Sequence, residues 1–269
     1  MVDDDASADT LQLLQTFLHV AEANKGTPAD SDERVLDAEG VGAKCLHHAI
    51  STLYLNRSTT VPELSASFFD GASMSVLARA AFESFLVFEY VFALPKTDAD
   101  REFRHLSWIL ADLIERQGFP ATLEETRETQ KREREVIASI RLRLQRNPEF
   151  RKLSSKEQVD LLSGKKWRLK SWTQIAAQAG LGKLHAQHAY RYLCSHAHSG
   201  SLSTVQVRTA KTRTDQLLIA SLALKLINVT LAFMIESYCE LFPKSQLVLD
   251  RHPAFKCRIE FWKGFGTKA

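Results

Sequence analysis

Residues 73–94 read SMSVLARAAFESFLVFEYVFAL. Leu77, Ala80, Ala81, Phe85, Leu86, Phe88, Val91 and Phe92 recur at steps of three and four, the period of a helix and not the alternation of a strand. A run this long and apolar belongs in the middle of a helical bundle, and Pro95 ends it. Among the charges that interrupt the apolar surface, Arg79 and Glu83 lie four residues apart and therefore on one face. Burying either one unpaired costs several kcal/mol. The pair serves either as an intra-helix ion bridge turned to a polar seam, or as a site in which Glu83 orients His198 or Arg191 from across the bundle.

Helical periodicity continues on both sides. Residues 9–24 form an amphipathic helix with Leu11, Leu14, Leu18 and Ala21 on one stripe, broken at Gly26-Thr27-Pro28. A second helix starts near Asp30–Asp32 and reaches about Asn56, and residues 58–72 form a loop. Beyond Pro95, helices are expected over 98–117 and 123–145, with short ones at 155–162 and 172–179. Then come a histidine-rich helix at 184–198, stopped by Ser199-Gly200, and a long apolar helix from Asp215 to Leu241. Ser221, Lys225 and Asn228 interrupt that last helix and argue against a membrane span. Residues 244–269 show no clear period and read as a C-terminal tail, with Phe261, Trp262 and Phe265 packing back. There is no βαβ rhythm and no internal repeat. The expectation is an all-α multi-helix bundle of seven to nine helices, one elongated helical domain over 1–269, with an N-terminal helix in 1–29, a charged helical arm over 120–170 and the tail.

The bulk numbers agree. A chain of 269 residues that is 45% hydrophobic holds ample core. Cys45, Cys194, Cys239 and Cys257 are widely spaced and read as reduced thiols, with neither a disulfide frame nor a zinc knuckle. The acidic start, Met-Val-Asp-Asp-Asp, lacks the basic, then apolar pattern of a secretion signal, so a cytoplasmic protein is expected, with no membrane partner. The net charge of +3 hides an asymmetry. Residues 1–40 carry ten acidic side chains and two basic ones, whereas residues 127–170 carry fourteen Lys/Arg against six Asp/Glu. Within the basic segment the apolar stripe is late, at Val136, Ile137, Ile140 and Leu144, so its first half projects into solvent or meets a partner. The loop Lys165, Lys166, Trp167, Arg168 is a candidate contact for an RNA backbone; a solvated face laced with ion pairs is the plainer alternative.

The histidine helix, LHAQHAYRYLCSHAH over 184–198, concentrates the remaining chemistry. At 100° per residue, Arg191 and His198 are seven positions and about 20° apart, with Ser195 between them, whereas Arg191 and His196 are about 140° apart. His185, His188, Tyr192 and His196 occupy the other side. No carboxylate lies in the helix to complete a metal shell, and no cofactor is expected. No GxSxG, Walker loop, GxGxxG or HExxH occurs.

Three segments in order, LARAAFESFLVFEY, SWTQIAAQAGL and YRYLCSHAHSGSLS, together resemble an uncharacterised, all-helical, mainly bacterial family over roughly residues 40–240. Its signature is an Arg-x-x-x-Glu helix, a Trp-containing segment and a Tyr…Ser…His helix end, here Arg79, Glu83, Trp172, Tyr190 and His198. Cys194 stands where a serine is usual and Ser199 where a proline is. The stretch after Arg191 also resembles the Arg-x4–6-His signature of HEPN ribonucleases. That resemblance implies a HEPN-like core, a homodimer pairing its histidine helices, and a metal-independent endoribonuclease of stress or phage defence. In it the Arg191 side chains of the two protomers would bind the scissile phosphate and His198 would carry acid–base cleavage; Glu83, Arg79 and Ser195 complete the candidate catalytic set read from the residues, with Tyr190 as a candidate substrate contact. The other reading is a non-catalytic helical scaffold that binds a protein or nucleotide partner.

Overall fold

The computed structural model describes residues 4–25, 33–198 and 200–268. The expected break at Gly26-Thr27-Pro28, the expected helix start at Asp30–Asp32 and the residue Ser199 lie outside the described residues. The described chain is all-α, with thirteen helices and one two-stranded hairpin. It divides into two compact units, residues 1–89 with 172–269, and residues 90–171.

The first unit is built on α3 (Gly71–Phe88) and α11 (Arg213–Leu241). Asp70 caps α3 by accepting from Ser73 N–H at 2.9 Å. Its buried face is Met74, Ala78, Ala81, Phe82, Phe85, Leu86 and Phe88; Leu77 and Ala80 are half-buried. Residues 89–93, expected to continue the α-helix, widen into a π-helix before Pro95. Burial explains α11, in which nearly every residue from Ala223 to Ile235 is buried. It is long and apolar enough to cross a membrane, and 78% of its most apolar window is buried within the protein.

Around these two pack α1 (Asp4–Glu22), α2 (Glu33–Leu55), α8 (Trp172–Gln178), α9 (Lys183–Ala197), α10 (Ser201–Thr209), α12 (Pro243–Arg251) and α13 (Pro253–Thr267). The core stripe of α1 differs from the expected one: Leu13, Leu14, Phe17 and Val20 are buried, while Leu11 and Leu18 face solvent. Two polar anchors set its rotation. Thr10 Oγ1 lies 2.7 Å from Asn228 Oδ1 of α11, and the buried Asp9 accepts from Trp262 Nε1 of α13 at 3.0 Å and pairs with Arg258. The residues read as a loop at 58–72 contain the antiparallel strands β1 (Thr59–Val61) and β2 (Ala66–Phe68), with a left-handed Ser65 at the turn.

Three further features depart from the sequence expectation. The helix number exceeds seven to nine because α10, α12 and α13, and a short helix in the second unit, join the longer ones. The C-terminal residues are helical, since Pro243 and Pro253 each occupy a first helical turn, where a missing N–H costs nothing. Of the three aromatic residues there, Trp262 is buried but Phe261 and Phe265 are exposed.

The second unit has its own core. α4 (Asp98–Gln117), α5 (Glu124–Arg146), α6 (Pro148–Arg151) and α7 (Ser155–Leu162) enclose Phe103, Leu106, Leu110, Ile137, Ile140, Leu144, Phe150 and Leu161. Val136, placed on the stripe by period, is exposed. The first half of α5 is mostly solvated but tied to the end of α4. Gln130 Nε2 donates to the carbonyls of Arg116 and Phe119, and Glu133, buried, accepts from Gln117 Nε2 at 3.0 Å. Asn147 ends α5 and caps α6, and a Ser154–Glu157 capping box opens α7.

Candidate functional site

The two polar residues of α3 meet the polar residues of α9. Arg79 Nε and Nη2 both approach Glu83 Oε1 at 3.0 Å, and Tyr190 Oη donates to that same oxygen at 3.2 Å. The guanidinium carbon lies 5.7 Å from the centroid of the Tyr190 ring. On its other side Arg79 Nη1 stands 3.2 Å from His198 Nε2. The guanidinium has only N–H donors, so in this contact Nε2 of the imidazole is the acceptor. Each member of the set is thus held by another.

Local structure explains the convergence. Tyr190 and Cys194 are four apart on the face of α9 that lies against α3. His198 is already outside the helix: its backbone sits at φ −108°, ψ 18°, and its N–H closes on Cys194 O. That turn lets an exposed imidazole reach back to α3. Gly200 completes it by donating to Ser195 O at 2.8 Å. A Cβ at Gly200 would come within 2.6 Å of Ser195 Oγ, so a larger residue there must displace that hydroxyl. Ser203 Oγ donates to the carbonyls of both Ser195 and Gly200, which makes Ser195 part of the hinge into α10.

The electrostatics favour a charged Arg79 and a neutral Tyr190. Burial works against the Arg79 charge, but Glu83, by its charge and its hydrogen bond, outweighs it and raises the guanidinium pKa further. The Tyr190 hydroxyl is pushed up to about 12, first by burial and then by the Glu83 carboxylate, so it stays a neutral donor. The set therefore offers a fixed cation and an open imidazole, in a seam where Arg79 and Glu83 are 20% and 30% exposed.

Other sequence-picked residues lie elsewhere. Arg191 is exposed and makes no hydrogen bond or ion pair among the described residues, and the His198 ring turns to Arg79 instead. His196 is buried beside Tyr192, at 4.8 Å between ring centroids, with neither ring nitrogen hydrogen-bonded. Trp172 is half-buried and opens α8. Lys165, Lys166 and Arg168 lie in the second unit, on the loop after α7. Lys165 reaches Asp160 at 3.9 Å, and Arg168 Nη1 donates to Lys170 O. Among the described residues no group of three or more His, Cys, Asp or Glu side chains is placed to hold a metal ion.

Sequence reasoning missed the direct Arg79–His198 contact and the role of Gly200. The Ser199-Gly200 helix stop marks the turn, but nothing in the sequence gives its direction.

The fold and this cluster define a class: all-α proteins in which an Arg-x-x-x-Glu helix is bridged to a Tyr…His helix end. The model of a family of unknown function (DUF5677) matches residues 63–213, more than half of the chain, and the chain belongs to that family. All four clustered residues fall inside the matched segment. No curated protein and no solved structure matches the chain.

Proposed function

We propose that the Arg79–Glu83–Tyr190–His198 cluster is an RNA-directed site and that the protein is a HEPN-like, metal-independent endoribonuclease. One observation carries this reading: a guanidinium and an exposed imidazole meet at 3.2 Å, on a surface where Glu83 and Tyr190 hold the guanidinium from behind. A phosphodiester entering the seam would draw Arg79 Nη1 from the neutral imidazole, because a charged acceptor makes the stronger hydrogen bond. His198 Nε2 is then free to take the proton of a 2′-hydroxyl. The 2′-oxygen attacks the adjacent phosphorus, the P–O5′ bond breaks, the 5′-oxygen leaves taking a proton from water, and a 2′,3′-cyclic phosphate remains. Arg79 offsets the charge that builds on the phosphoryl oxygens. Arg79 takes the role that chain spacing offered to Arg191.

The test is incubation of the purified protein with a mixed RNA pool in EDTA. His198→Ala and Arg79→Ala should each abolish cleavage and the cyclic-phosphate ends, Arg191→Ala should largely spare them, and His196→Ala should cost far less than His198→Ala. A greater loss in Arg191→Ala than in Arg79→Ala would return the cation's role to the outer face of α9. The scaffold reading draws on the ion pair itself, which already satisfies Arg79 inside the fold. It is upheld if wild type and His198→Ala leave RNA equally intact while Arg79→Ala only lowers stability.

A further inference from the structure

We propose that a cleft in the second unit binds a small phosphate ester with a flat apolar group, a ligand of nucleotide character. The cleft encloses about 320 Å³, at the lower end of the range for small-molecule sites. Leu153 and Leu169 form an apolar wall, and Lys96, Lys152, Lys170 and Arg104 stand around it. Its two carboxylates are both engaged. Asp100 takes a two-point contact from Arg104, 2.7 Å at each oxygen, and Glu149 holds Lys152 at 2.7 Å. Four cations against two engaged carboxylates leave an excess of two positive charges. Lys96 is exposed and makes no hydrogen bond or ion pair among the described residues.

The walls are preorganised. Arg104 lies 4.7 Å from the centroid of the Tyr90 ring and donates to Tyr90 O, while Tyr90 Oη accepts from Leu169 N–H at 3.1 Å. The buried Tyr90 thereby pins Arg104 and the Leu169 backbone, so these parts of the cleft need no ordering by a ligand. The half-buried Lys170 has its pKa lowered, by burial first and then by the nearby Arg104 charge, although Asp100 opposes this. An anion placed there relieves both effects. Phosphate oxygens match the lysines, and a base-like ring matches the apolar wall.

The experiment is calorimetric titration of the full chain with AMP and ATP, and separately with inorganic phosphate. The nucleotides should bind saturably at sub-millimolar concentration, and inorganic phosphate much more weakly. Lys96→Ala should weaken nucleotide binding about tenfold, the effect of one charge-assisted contact, and Lys170→Met at least as much. His198→Ala, in the other unit, should leave it unchanged. Since Lys96 has no partner to lose, its substitution keeps the test decisive even if Lys170→Met folds poorly. The assignment is overturned by absence of saturable nucleotide binding, by phosphate binding as tightly as AMP, or by full affinity in Lys96→Ala. It is equally overturned if His198→Ala removes the binding.

Discussion

Replacing Tyr190 with Phe removes one oxygen and leaves the ring beneath Arg79. The lost contact is the Tyr190 hydroxyl on Glu83 Oε1 at 3.2 Å. A hydrogen bond to a charged acceptor contributes about 1.5–3 kcal/mol when shielded, but the Glu83 side chain is 30% exposed and water can take the vacated position. We expect a loss of about 1 kcal/mol, which for a chain of this size lowers Tm by about 2–4 °C. The stricter assay is a double-mutant cycle by urea unfolding. In a Glu83→Gln background the same substitution should cost about half as much or less, because a neutral acceptor makes the weaker bond. Equal costs in the two backgrounds would refute the contact. A pH arm adds a second reading. Burial and Glu83 raise the Tyr190 pKa from 10.0 to about 12. A group whose folded pKa lies above its unfolded one contributes fully below pH 10 and loses that contribution as the pH climbs toward 12. The advantage of wild type over Tyr190→Phe should therefore shrink across that interval and stay constant below it.

His196 is buried, and burial lowers its pKa. Its contribution is present above the unfolded value of 6.5 and lost as the pH falls, so the drop in urea midpoint between pH 7 and 5 should be smaller in His196→Phe than in wild type; identical drops would count against it. Gly200→Ala should destabilise by about 1–3 kcal/mol through overpacking, and adding Ser195→Ala should restore most of that, since the nearest obstacle is the Ser195 hydroxyl; failure of the second change to help would place the strain in the backbone.

The long elements were readable because burial and period agree in them. In α3 and α11 the apolar residues are too many for any fold but a central helix. The shorter ones escaped for local reasons. Among the apolar residues of α10, Leu202, Val205 and Val207 are all exposed, so no stripe marks it. In α12 and α13 the prolines look like stops although each sits in a first turn. The boundaries of the two units are not marked in the sequence, because both units are helical; the basic excess over 127–170 lies inside the second unit without outlining it. The site was half legible. Arg79 and Glu83 stood out as charges on an apolar helix, Tyr190 through the family resemblance and His198 through the histidine helix, and the structure brings these four side chains together. Their partners were harder to assign, since the 100° rule applies only while the chain stays helical. His198 has already left the helix, so the face it shares with Arg191 on paper no longer governs where its ring goes.

The first unit is assembled from two stretches of chain, and this bears on the order in which the molecule forms. The Thr10–Asn228 contact spans 218 residues and the Asp9–Trp262 contact 253, so closing α1 onto its partners carries the entropy of a very long loop. The second unit is one continuous stretch whose helices meet near neighbours. During refolding, or on a ribosome, residues 90–171 can reach their native pairing while α1 still waits for α11 and α13. Pulse-labelled hydrogen exchange should find the amides of α4 and α5 protected before those of α1, and simultaneous protection would contradict this order. In that interval the apolar face of α1, with Leu13, Leu14, Phe17 and Val20, has no native cover, which leaves that helix exposed to aggregation and to chaperone capture.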